Sequence, residues 1–257
     1  MSASPLDGAG AVRLLPLRMT CVLAATALVQ ASVATWALGP GLLKLPLAGV
    51  VSAGTVPLLL GGVAMVLAVF TAPLLLGASD PGWDTARWTL ARASVAAAWQ
   101  AAVLGFMLLA VSRLTPVDSR GILLACTWLG LCALMSILLA RLAPWAFAGV
   151  MFFWACAVPV CCYMVAELFL AGPGGNVGWS QATGPHVQGL RATVHWGLGL
   201  SPGTSLAGAL TGVLPDGTEY AAGVPFMLMC MIGGLLGWGV VRRCSREAGG
   251  ALGRALA

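Results

Sequence analysis

The sequence predicts an all-α membrane protein, a polytopic bundle of six transmembrane helices with a partly membrane-embedded outer segment between helices five and six. Two observations carry that prediction. Six apolar runs, almost free of charge, occupy Thr20–Leu38, Val50–Leu76, Val95–Val111, Gly121–Ala140, Phe147–Leu170 and Val224–Val241. About 20 helical residues cross the ~30 Å hydrocarbon core of a bilayer, and inside lipid each backbone N–H and C=O must be satisfied within its element, so runs of this length are helices. Hydrophobic residues make up 60% of the 257-residue chain and charged residues 8%. Soluble domains carry roughly 25% charged residues, so this chain has too few to cover a water-facing surface.

The thirteen basic residues give the orientation. With the N-terminus inside, the inner segments hold Arg13, Arg18, Arg87, Arg92, Arg141, Arg242, Arg243, Arg246 and Arg254, while the outer ones hold Lys44, Arg113, Arg120 and Arg191. Nine against four places both termini in the cytoplasm by the positive-inside rule, and an even number of spans agrees. The expected location is the inner (cytoplasmic) cell membrane. The net charge of +5 is thereby accounted for without a nucleic-acid partner.

The elements follow in order along one transmembrane domain covering residues 1–257. Residues 1–19 are short and polar, with Ala11–Arg18 suited to lie along the inner surface. The first run is read as a retained helix, because it reaches Leu38 without a clean small-x-small stop; a cleaved signal peptide is the alternative. Gly39–Ala48 is a tiny outer loop, and the second run is long enough to tilt, with Pro57 and Pro73 as kink points. Before the third run stands the most polar short stretch, Ser79 to Arg92, where Ser79 or Asp80 can cap a helix with Pro81 and Asp84 in its first turn. Ser112–Arg120 joins spans three and four, and Arg141–Ala146 makes spans four and five an antiparallel hairpin. Ala171–Gly223 is the large outer region. Its apolar part, Val187 to Leu214, is broken by six glycines: too interrupted to span, too apolar to stand in water, it is expected to dip into the outer leaflet or lie on the bundle as short helices.

Motifs for chemistry are sparse. Glu167 is the one acid within a predicted span, and an ionisable residue there is a candidate for a proton step, a substrate contact or a polar lock. It lies about a turn from the outer boundary, so reaching water is the plain alternative. His186 and His195, the only histidines, have Asp216 and Glu219 as their nearest acids in sequence and fit interfacial anchoring beside Trp179 and Trp196 better than a metal site. The eight cysteines include no CxxC pair and read as small packing residues. Gly208-x-x-x-Gly212 and Gly233-x-x-x-Gly237 allow close helix approach, the second within span six. No catalytic residue, cofactor or metal is expected, and no Gly-x-x-x-x-Gly-Lys-Ser/Thr phosphate loop occurs, so the chain does not itself use ATP through a P-loop.

Two stretches resemble a known family. Trp83-Asp84-Thr85-Ala86-Arg87-Trp88-Thr89-Leu90-Ala91-Arg92-Ala93-Ser94 is similar to the Thr- and Leu-containing docking stretch before span three of ABC-2-type transporter membrane subunits, without the usual Glu-Arg-Glu core. Leu200-Ser201-Pro202-Gly203-Thr204-Ser205-Leu206 through Gly212 resembles the Ser-Pro segment that precedes the last span in that family. The resemblance implies six spans, cytoplasmic termini, a separate ATP-binding cassette ATPase subunit docked on Asp80–Trp99, and a homodimer or heterodimer of permease subunits. On that reading Trp83 and Trp88 are apolar anchors in the ATPase cleft, and Asp84, Arg87 and Arg92 are charged contacts; the plain alternative is a solvated loop with its tryptophans at the headgroups.

The expected function is therefore the non-enzymatic permease subunit of an ATP-driven exporter whose cargo is unidentified, an amphipathic one fitting spans without a charged track. The alternatives are an ion- or proton-coupled secondary transporter or channel, an intramembrane enzyme, and a non-catalytic assembly subunit.

Overall fold

The computed structural model describes residues 17–42, 56–75, 86–113, 117–145, 147–152, 154, 189, 201–212 and 223–255, with side chains for all of these except 18, 38–42, 86–88, 148–149, 152 and 247–255. The protein is all-α. Seven helices are described: α1 (Leu17–Leu42), α2 (Val56–Leu75), α3 (Ala86–Val111), α4 (Ser119–Leu142), the short α5 (Phe147–Phe152), α6 (Pro202–Thr211) and α7 (Gly223–Ala255). Five of them are long and apolar enough to cross a membrane: Met19–Ala37, Val56–Leu75, Thr89–Val111, Ser119–Leu142 and Gly223–Arg246.

The side-chain distribution is that of a protein in lipid. Facing inward are small residues, among them Ala64, Ala68 and Ala72 on α2 and Ala93, Ala96 and Ala97 on α3. Phe70, Leu74, Phe106, Leu109, Leu123, Met231 and Leu235 face outward. Lipid tails are as apolar as leucine, so helices in a bilayer gain by bringing backbones close across small residues and leaving large side chains to the lipid. Water would not tolerate so much outward apolar surface. This is a multi-pass membrane protein.

Helix α4 is the centre. It packs against α2, α3, α5, α6 and α7, while α1 packs against α2 and α3. Asp118 starts α4: in extended conformation, its carboxylate accepts from Gly121 N at 2.6 Å, which satisfies one of the helix's orphan donors. Helices α3 and α4 are antiparallel, since Gly105 lies against Cys126 and Gly130 against Ala101. Helices α4 and α7 are parallel, because Trp128 meets Phe226, Met135 meets Gly233 and Leu142 meets Gly239 at a nearly constant offset. The end of α4 and the start of α7 therefore lie at opposite ends of the bundle, a requirement that the fifth expected span, Phe147–Leu170, would meet. Its beginning is α5, whose Met151 Sδ turns back to Ser136 Oγ at 3.8 Å; the rest lies outside the described residues apart from Trp154.

Three expectations change. Span three begins earlier than Val95: α3 runs without a break from Ala86, and its span from Thr89. Leu90, Ala93, Ala96 and Ala97 continue one packed face through the polar residues. Of Gly208 and Gly212, only the first is buried in the packed face of α6. Gly212 ends α6 in the left-handed region at φ 78°, its N–H donating to Gly208 O at 2.8 Å, a conformation that favours glycine. Span six continues past Val241 as one helix to Ala255. Pro73 is accommodated within α2, in its last turn.

Candidate functional site

Two regions of the bundle carry polar groups that packing alone does not require. One is the end where α3 begins and α4 and α7 finish. Arg92, Arg141, Arg242, Arg243 and Arg246 lie there, against Arg113 and Arg120 at the other end. Arg243 reaches from α7 to the last turn of α4, where Nη1 donates to Arg141 O at 3.0 Å and Leu142 O at 2.9 Å. Those are orphan carbonyls at the negative end of the helix dipole, where a cation is favoured. Arg242, one residue earlier, turns away and lays its guanidinium over the Trp238 ring, 5.2 Å from the centroid.

The expected docking residues belong to this end. Arg87 and Trp88 occupy the first turn of α3, with side chains outside the described set, and Trp83 and Asp84 lie outside the described residues. Arg92 is half-buried, and its Nε is enclosed without a hydrogen-bond partner. Trp99, at the far end of the expected stretch, lies instead against α1 while remaining about half exposed, its Nε1–H donating to Leu23 O at 3.4 Å.

The second region is inside. Gln100 on α3 is 1% exposed, and its Nε2 donates to Thr71 Oγ1 of α2 at 3.2 Å. Thr71 in turn donates to Leu67 O at 2.7 Å, which fixes the direction of the chain of bonds. The Gln100 amide oxygen has no partner, and neither has that of Gln30 on α1, also 1% exposed. On α4 the fully buried Trp128 meets Phe226 edge-on, at 6.2 Å and 89°, with its Nε1–H unpartnered. Buried polar atoms are expensive in an apolar setting unless bonded. The sequence signal for this region existed: Gln30 and Gln100 each stand within an otherwise apolar run. Neither is ionisable, so neither carries the charge signal that singles out Glu167, which lies outside the described residues, as do His186 and His195. Among the described residues no three of His, Cys, Asp and Glu gather where a metal could sit.

At the opposite end, α6 wedges against the first turns of α2 and α4. A Cβ on Gly121 would stand 2.7 Å from Ala209 O, and one on Gly61 would meet Leu206 and Leu210 at 3.1 Å. Small residues at both positions let α6 approach. Comparison with protein-family models, with curated proteins and with solved structures finds no match.

Proposed function

We propose that the chain is the permease subunit of an ATP-driven exporter of the ABC-2 type, in the inner membrane with both termini cytoplasmic, working with a separate ATPase and a second permease subunit. The observation that supports this reading most is the continuity of α3. A push on Ala86–Arg92 at the arginine-bearing end is delivered straight into a helix packed along the central α4. The wedge of α6 between α2 and α4 lies at the far end, where a tilting bundle would open a route outward. The arginine excess argues that the α3 start faces the cytoplasm, where an ATPase would be. Trp83 and Trp88 are then the apolar anchors and Asp84, Arg87 and Arg92 the charged contacts, with hydrolysis performed by the partner. The spans contain no acid among the described residues, which fits an amphipathic cargo better than a free ion. Gentle purification with native neighbours should bring down a P-loop ATPase, and Trp83→Ala with Trp88→Ala should release it. If no ATPase copurifies and the double variant transports normally, the proposal fails.

A second reading, a secondary transporter or channel, is favoured by one observation: the Gln100–Thr71 pair with its unused acceptor, together with Gln30, puts polar atoms inside the bundle. Transport by the purified chain alone, driven by an ion or solute gradient in sealed vesicles, would select it.

A further inference from the structure

We propose that the last turns of α7 in the membrane form a binding site for the phosphate of an anionic phospholipid, built from Trp238, Arg242 and Arg246. The three stand at i, i+4 and i+8, one above another on a single helix face, and all three are exposed. That face lies at the end of a span, where the Gly223–Arg246 segment finishes. Trp238 sits one turn before Arg242 and about two turns before Arg246, and indole rings favour the headgroup boundary. The guanidinium carbon of Arg242 lies over the Trp238 ring, 5.2 Å from its centroid. Among the described residues no hydrogen bond engages this guanidinium, so its N–H donors can offer a phosphate the fork that matches it. Arg246, a turn further on, can reach the same phosphate from the water side.

The neighbouring arginine shows the contrast. Arg243 turns to α4 and bonds the carbonyls that end it, so it holds the protein together, while Arg242 turns instead to Trp238. No carboxylate pairs with Arg242 or Arg246 among the described residues, and Glu247 follows about 100° further round the helix. Exposed apolar residues, Met231 and Leu235, continue the same side of α7 into the span, as acyl chains below a bound headgroup require. Lipid is the occupant because the positive charge and the apolar strip adjoin on one face. The inference is independent of whether the chain exports anything.

The test uses the full chain in detergent with equal phosphatidylglycerol and phosphatidylcholine, counting retained lipids by native mass spectrometry. The wild type should retain phosphatidylglycerol preferentially. Arg242→Gln with Arg246→Gln should reduce that preference by roughly 25-fold, about fivefold for each arginine near a surface. Arg242→Lys, which keeps the charge and loses the guanidinium fork over Trp238, should lose part of it. Inorganic phosphate at millimolar concentration should displace nothing. Equal retention of the two lipids by the wild type, full retention by either variant in material that elutes as the wild type does, or displacement by free phosphate would each overturn the site.

Discussion

Arg243 on the last helix donates to the backbone oxygens of Arg141 and Leu142 on the fourth, at 3.0 and 2.9 Å, and so ties two parallel spans together at the end they share. The bond is exposed, so it competes with water. Arg243→Ala should cost about 1 kcal/mol, below the roughly 1.5–3 kcal/mol of hydrogen bonds to charged groups because water competes for these carbonyls, read as a lower unfolding midpoint in detergent. Arg242→Ala, which leaves those carbonyls covered, should lie within about 0.5 kcal/mol of the wild type.

Gln100 and Thr71 allow stability to be separated from function. Gln100→Leu removes an amide whose oxygen is buried without a partner, so it should be close to neutral in stability. A double-mutant cycle with Thr71→Val should yield a coupling of about 0.6 kcal/mol, the average for hydrogen bonds between membrane helices. If the pair touches cargo, Gln100→Leu will abolish transport at undiminished stability; unaltered transport would reduce it to a polar lock.

Three glycines form a graded series. Gly121→Ala drives a Cβ to 2.7 Å from the Ala209 carbonyl and 2.8 Å from the Asp118 carboxylate, and should destabilise by about 1–3 kcal/mol as α6 is pushed away and the cap disturbed. Gly61→Ala meets only the tips of Leu206 and Leu210, at 3.1 Å, and should cost less. Gly62→Ala, with nothing within 4 Å, should stabilise the helix by up to about 1 kcal/mol. Thermal unfolding of the three variants side by side checks the order.

Trp128 separates packing from its unused donor. Trp128→Phe keeps an aromatic ring near Phe226 and removes the unpartnered N–H, so the smaller ring and the lost burial penalty should offset to within about 1.5 kcal/mol. Trp128→Ala leaves a cavity at the centre of the bundle and should cost about 3–5 kcal/mol. Equal losses for both would show that the indole nitrogen has a partner after all.

The spans were legible because a bilayer imposes a length and a composition that a run of residues either has or lacks. Thr20–Leu38, Gly121–Ala140 and Val224–Val241 each fall within a described helix. The capping residues predict a helix through Ser79–Arg92, but its continuity with span three was not legible, since Thr89, Arg92 and Ser94 interrupt the apolar run while the packed face passes between them. Position in sequence also misjudged glycine: Gly212 resembled a packing residue and serves as a helix end, a difference that only a backbone angle reveals. For the candidate site, the arginines could be counted but not paired. That Arg243 turns to α4 and Arg242 to Trp238 depends on which face of α7 meets α4, and nothing local encodes it. Gln30 and Gln100 are conspicuous only once burial is known.

The fourth helix is gripped at both tips, by Ala209 beside its first turn and by Arg243 at its last. Its 24 residues make a rod about 36 Å long at 1.5 Å per residue. Such a beam has no slack at either extremity. Tilting it by a few degrees about its middle would swing the two rims of the bundle in opposite senses, so an event at one membrane surface is mechanically registered at the other.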